Sequence, residues 1–472
     1  IDNVSVKQVD PNDNWTLGTG WSFGDGKAIK STTATSSSFC SQDLPLVNNS
    51  IYKIQFDLNI TSATTTSIGI SNSGAFGQLS GSERFYTTSG TKTITALFDN
   101  SKPTQIKFVG GNNTSFELEN VSIIEIQQNG VPRLDYTNGT ASILLENQST
   151  NLYTNSEPTS NEGAASGVSY VDYNWSLGFT NATEFTSGDF RYGGSVSAST
   201  VNTLSFFIIM DDFSQPVVGA NSVAGDFSVV IGGSVMTSGF EVKNFGNNVY
   251  RVFVTGTSGT NTGNNGIIKY NSQSSKAFKV VGWQLEQQSY PTSYIPTSGS
   301  TVTRAAETLN NAANSDLINS TEGVLYAEIS ALANDSVSEG ISISDGTINN
   351  RVVIFKWNTS NSMRGRVTAS GVNSLNQTFS VDDIKSFNKI AIKYKLNDFA
   401  IWLNGVEVFV DTSGAVPVGL NKLQFDSGGG DSNFYGKCKT VAVFKESLSD
   451  SELACLTSTT DQEIFFNYYY RM

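Results

Sequence analysis

The chain has 472 residues, 38% of them hydrophobic, which suits about two to four packed domains rather than one ordinary core. Charged residues make up only 15% and the net charge is −13, so the surface repels nucleic acid, and no run approaches the roughly 18–20 apolar residues that span a bilayer. Histidine is absent, which removes the usual general base, the usual Zn ligand and the Ser-His-Asp constellation together.

Residues 1–8 (IDNVSVKQ) and 118–125 (LENVSIIE) share the pattern apolar-acid-Asn-Val-Ser-apolar. The second copy reads as the last strand of a domain beginning near Trp15. Residues 1–9 are therefore expected to be the last strand of a preceding repeat, with the chain beginning inside a longer polypeptide. Chance similarity in β-rich sequence is the alternative. Residues 51–60 (IYKIQFDLNI) alternate, with Tyr52, Ile54, Phe56, Leu58 and Ile60 on one side and Lys53, Gln55, Asp57 and Asn59 on the other, as a half-buried antiparallel strand does. The run 204–210 has the length of a buried strand. Segments 389–396 and 399–403 read as strands joined at Asn397-Asp398. Asn404-Gly405 then supplies the positive φ values of a type I′ turn before 406–410. Helical patterning is confined to 449–456 (SDSELACL), where Ser449 caps and Glu452 completes a capping box. Short strands punctuated by Gly, Asn and Ser predict an all-β chain of tandem antiparallel β-sandwiches, with boundaries near residues 126 and 308.

Cys40, Cys438 and Cys455 are not spaced as metal ligands and read as small buried hydrophobes; a Cys438–Cys455 disulfide stays open. Protein–sugar contact needs aromatic faces for the apolar side of a pyranose and planar amides or carboxylates for its hydroxyls. Near the start, Trp15, Trp21, Phe23 and Asp25 are candidates, with Trp21 either a platform or a core residue. Tyr170, Tyr173 and Trp175 flank an Asp172-Asn174 alternation; Tyr173 and Trp175 are expected on one strand face, in the core, and Trp402 is likewise a core residue. Trp357 with Asn358, Arg351 and Arg364 is the candidate sugar site, because arginine pairs bidentately with uronate or sialate carboxylates; a solvated strand face is the plainer reading. Asp426, Asp431 and Asn433 surround the Gly-rich loop 427–430 and are the candidate Ca²⁺ ligands, against a polar turn without metal. Glycoside chemistry needs two carboxylates facing each other across the bond. Here they are scattered; Asp382 and Asp383 are adjacent on a turn, and neighbours on a strand would face opposite sides. With neither a P-loop nor a dinucleotide Gly motif, no enzymatic activity is expected.

Three resemblances follow the chain. Residues 10–126 resemble the jelly-roll, carbohydrate-binding-module-like repeats of phage and bacterial surface proteins, through 13–22 (DNWTLGTGWS), 52–57 (YKIQFD) and 119–122 (ENVS). Residues 127–308 resemble the fibre or spike domains of tailed phages. The residues that carry this are 132–136 (PRLDY), 144–146 (LLE), 150–152 (TNL) and 248–252 (NVYRV). Clearest are 283–286 (WQLE), 290–297 (YPTSYIPT) and 303–306 (TRAA). Residues 309–460 resemble a laminin-G or concanavalin-A-like lectin sandwich, through 322–327 (EGVLYA), 401–406 (IWLNGV) and 448–453 (LSDSEL). An aromatic tail, 461–472, is assigned to an inter-chain or inter-domain contact, since Phe465, Phe466, Tyr468, Tyr469 and Tyr470 are costly to leave in water. The resemblances imply a non-catalytic bacteriophage virion surface protein, a tail fibre, spike or head fibre. It would bind host or environmental glycan as a homotrimer among other virion proteins, with no membrane insertion. The alternative is a polysaccharide-degrading enzyme of which these are accessory sugar-binding modules.

Overall fold

The computed structural model describes residues 7–8, 15–24, 26–31, 38–43, 50–62, 68–71, 86, 88–98, 105–110, 114–128, 132–136, 140–160, 164–192, 194–220, 225–270 and 273–459. Antiparallel sheets account for nearly all of the regular structure, and the described residues contain one α-helix, Asp450–Thr457. Two units divide the chain: Ile1–Asn129 with Gln148–Ala305, and Gly130–Asn147 with Ala306–Met472. Among the described residues no helix is long and apolar enough to cross a membrane.

The first sandwich sets a six-stranded sheet, built around Ser115–Gln128 and Ser50–Ser62, beside a four-stranded sheet centred on Ser38–Asp43 and Gln105–Gly110. The alternation at 51–60 does what it predicts: Tyr52, Ile54, Phe56 and Leu58 are buried together with Ile106, Phe108 and Phe116. Lys7 and Gln8 pair antiparallel with Ile123 and Ser122. They thus join this same sheet. Residues 1–6 lie outside the described residues.

In the second sandwich a nine-stranded sheet is assembled around Phe278–Glu286, which pairs with Val201–Met210 on one side and Asn181–Tyr192 on the other. The run 204–210 is buried throughout. Gly282 adopts φ +66, where a Cβ would meet the Phe207 ring at 2.7 Å, and the pairing register slips between Ser205 and Phe207. This bulge shifts the inward set from Phe278 and Val280 to Trp283 and Leu285, so Trp283 enters the core with no exposed surface. The segment after Tyr290 is then pinned by buried polar side chains. Gln284 Oε1 accepts from Ile295 N at 2.6 Å, and Glu286 Oε2 accepts from Thr292 N at 3.1 Å. Arg251 donates to Thr292 O at 2.9 Å, and Asn151 donates to Ile295 O at 2.9 Å. Several buried polar groups of the string 283–297 are thus used in holding the segment in place.

The second unit is a sandwich of seven- and five-stranded sheets. Asn388–Lys395, Asp398–Leu403 and Val406–Asp411 form successive hairpins as expected, and Asn404 and Gly405 take φ values of +48 and +90 at the second turn. Ser449 and Glu452 complete the capping box of Asp450–Thr457. That helix packs Leu453 onto Val324, Tyr326, Ala400 and Trp402, so Trp402 is buried on the outer face of the seven-stranded sheet. Ser142–Leu145 pairs with Gly436–Phe444 in this same sheet, so residues 130–147 belong with this unit rather than with the segment that follows them. Cys40, Cys438 and Cys455 are free thiols, so Cys438 and Cys455 are not bridged. Burial pushes the Cys40 and Cys438 thiols up to about 12.

One buried carboxyl makes stability depend on pH. Burial pushes Glu339 up to about 8; Lys356, its cross-strand neighbour, only partly offsets this, and Asp335 adds to it. Between the ordinary value of 4.5 and about 8, the folded chain holds a proton that the unfolded chain has released. Stability from this group is therefore lost as pH rises through that window. The melting temperature of this unit is expected to fall from pH 5 to pH 8, and Glu339→Gln is expected to flatten the fall. Parallel melting curves for the two proteins across that range would contradict the assignment.

Candidate functional site

The five-stranded sheet of the second unit turns Val352, Ile354, Met363, Val367 and Leu375 into the core. Strand alternation then sends Arg351, Phe355, Arg364, Arg366 and Thr368 to the opposite face. The register makes two adjacent rows there, Phe355–Arg364–Thr378 and Val353–Arg366–Asn376. Trp357, half-buried, follows the strand Arg351–Lys356, and its N–H bonds Ser362 O at 2.9 Å to close the hairpin. The Arg364 guanidinium lies 3.3 Å from the centre of the Trp357 ring, and the Phe355 ring meets that of Trp357 edge-on at 5.6 Å. Arg364 Nε donates to Thr378 Oγ1 at 2.7 Å, and Arg366 Nε to Asn376 Oδ1 at 3.1 Å.

No described carboxylate forms an ion pair with Arg351, Arg364 or Arg366. Burial lowers the pKa of all three, and the charge of Arg366 lowers those of Arg351 and Arg364 further. The face is therefore a patch of mutually repelling cations on an aromatic base. Trp357 and Arg364 are brought into contact as a pair, and Asn358 stands exposed in the turn beside them. Arg351 has a different place. It is 7% exposed, and its Nη1 donates to Ser427 O at 2.6 Å, tying the Gly-rich loop to the sheet. Arg366, Phe355, Asn376 and Thr378 escaped the sequence reading. The signal was present in Arg364-Gly365-Arg366, whose period of two puts both guanidinium groups on one face of any strand.

The other candidates sit in structural roles. Trp21 is 7% exposed and meets the Phe116 ring edge-on at 5.2 Å, so it fills the first core and presents no platform to solvent. Trp175 is buried, its indole donating to Asn181 O at 2.9 Å, with Tyr173 packed against it. Asp25 lies outside the described residues, as does the tail from 460 onward. In the Gly-rich loop Asp426 is fully buried and accepts from Gly428 N at 2.6 Å and Gln424 Nε2 at 3.3 Å. Burial raises its pKa. Asp431 takes the Ser427 hydroxyl, and Asn433 donates to Tyr435 at 3.3 Å. Among the described residues no cluster of three or more His, Cys, Asp or Glu side chains is placed to hold a metal. A Ca²⁺ ion would have to displace the donors that Asp426 already holds. Adding about 1 mM Ca²⁺, enough for weak extracellular sites, is expected to leave the melting temperature unchanged. A rise of several degrees, lost on Asp431→Ala, would establish an ion site in this loop.

No protein-family model matches the chain, and no curated protein does. Solved structures match the chain at low TM-scores. The CBM40 of Ruminococcus gnavus IT-sialidase, bound to α2,3-sialyllactose, is 15% identical with a TM-score of 0.26, over 30% of this chain and 84% of that one. The CBM22-1–CBM22-2 tandem of Paenibacillus barcinonensis Xyn10C is 10% identical with a TM-score of 0.22, over 60% and 97%. Domains LG4–5 of the mouse laminin α1 chain are 8% identical with a TM-score of 0.21, over 71% and 97%.

Proposed function

We propose that the chain is a non-catalytic carbohydrate-binding protein of tandem β-sandwiches, with its sugar site on the outer face of the five-stranded sheet. The observation that carries this is the Trp357–Arg364 stack, flanked by Arg366, Asn376 and Thr378 and without a carboxylate partner among the described residues. A guanidinium braced on an aromatic ring, with amide and hydroxyl groups beside it, offers hydrogen-bonding groups suited to a sugar. Such an open face binds weakly, about −4 kcal/mol for a millimolar site, so repetition in an assembly supplies the working affinity.

Two settings use this chemistry. In the first, supported by the fibre-like string 283–297, the chain is a homotrimeric tail or head fibre on a phage virion, meeting host glycan beside other virion proteins. In the second, it is an accessory sugar-binding segment of a polysaccharide-degrading enzyme. The absence of histidine and the scattered carboxylates support a non-catalytic role in both. A glycan array probed with the full chain tests the shared reading. Binding to a defined set of glycans is expected, with at least about tenfold loss in Trp357→Ala, the size of one aromatic anchor. An unchanged profile in that variant would contradict the site. The mass of the intact protein then separates the settings: a trimer fits the fibre, and a monomer removes it.

A further inference from the structure

The sequence holds 42 acidic residues against 29 basic ones, yet Arg351, Arg364 and Arg366 form no ion pair with a described carboxylate. Two of them stand on adjacent rows of one face. Each is fixed through Nε alone, Arg364 by Thr378 and Arg366 by Asn376. Neither makes another hydrogen bond or an ion pair among the described residues, so the Nη amino groups of both remain unused. A guanidinium held by Nε keeps its outer edge for a planar or tetrahedral anion. The Trp357 ring face, by contrast, is already covered by Arg364 at 3.3 Å. A neutral pyranose seeking that face would have to remove the guanidinium. An anionic group would instead meet the free Nη edges and relieve the repulsion between the two cations.

We propose that this face selects an anionic saccharide, one bearing a carboxylate or a sulfate, and that Arg366 is a second anion-holding residue beside Arg364. The proposal rests on the reading of this face as a sugar site and names the class of sugar. Asn376 and Thr378 act as positioning residues that orient the two forks. Arg351 lies outside the binding set, since its Nη1 is used on Ser427 O.

Affinity electrophoresis of the full chain tests this with five polymers: polygalacturonate, its carboxyl-reduced form, dextran sulfate, dextran and polyglutamate. Retardation is expected with one or both acidic polysaccharides, and the two arms tell carboxylate from sulfate. No comparable retardation is expected with the neutral partners or with polyglutamate. Arg366→Gln is expected to weaken the acidic interaction by about tenfold or more, the worth of a charge-assisted bonded pair. Arg366→Lys, which keeps the charge and loses the fork, is expected to fall between. Near-ultraviolet circular dichroism shows whether each variant keeps its fold, and the lysine form serves if the glutamine form does not. Equal retardation by neutral and acidic polysaccharides, lost in Trp357→Ala, would overturn the anionic class and leave the sugar site standing. Retardation by none of the polysaccharides would overturn the sugar reading and this proposal with it. Acidic binding unchanged in both Arg366 variants, or polyglutamate binding as tight as polygalacturonate, would overturn the proposal.

Discussion

Asn151→Ala is expected to destabilise the second sandwich by about 4 kcal/mol, since each buried group left unpaired costs roughly 1–3 kcal/mol. Asn151 is wholly buried and uses all of its bonding capacity. Its Nδ2 donates to Trp283 O at 3.0 Å and Ile295 O at 2.9 Å, and its Oδ1 accepts from Tyr153 N and Leu285 N, each at 3.1 Å. Four backbone groups from three segments therefore depend on one amide. Truncation orphans all four and releases the segment that carries Ile295. For a sandwich of this size, about 4 kcal/mol corresponds to a fall of roughly 8–16 °C in melting temperature. Differential scanning calorimetry of the full chain checks it. A fall of less than about 3 °C would show that the amide is dispensable or replaced by water.

Arg133→Met is expected to cost the second unit about 3–5 kcal/mol, the usual result of leaving buried charge uncompensated. Arg133 Nη2 pairs with Glu146 and, at 2.7 Å, with Glu307, whose side chains are almost wholly buried. Burial alone would lower the Arg133 pKa, but the two carboxylates raise it on balance. Glu307 Oε2 also accepts from Glu146 N at 2.7 Å, and Glu307 N donates to Glu146 O at 3.0 Å, which binds residues 146 and 307 together across a long stretch of sequence. Without Arg133, two carboxylates face each other in the interior. The variant carrying Glu146→Gln and Glu307→Gln as well is expected to recover most of the loss, because the charges that made it costly are gone. If the single and triple variants unfold at the same denaturant concentration, the cluster does not act through charge.

What the sequence disclosed depended on how local each signal was. The strand around Tyr52–Leu58, the turn at Asn404-Gly405 and the cap at Ser449 are decided by residues within a few positions of one another, and the structure reproduces them. Ser142–Leu145 takes its partner, Gly436–Phe444, from a distant part of the chain, and nothing local announces that pairing. The structural role of 283–297 is not written in the string itself, because it needs Asn151 and Arg251 brought to it by the fold. At the candidate site Trp357 and Arg364 stood out by type. Arg366, Asn376 and Thr378 gain meaning only from cross-strand register. Trp21 illustrates the converse: an aromatic in a first strand is chemically suited to sugar, yet the packing of Phe116 against it settles it in the core.

The most direct measurement is a crystal structure of the full chain with a trigalacturonate or a sulfated oligosaccharide bound. An acid group is expected within about 3 Å of Nη atoms of both Arg364 and Arg366, with the sugar ring lying along the Trp357 side of the sheet. Ordered sugar at another surface, with this face empty, would contradict the central claim.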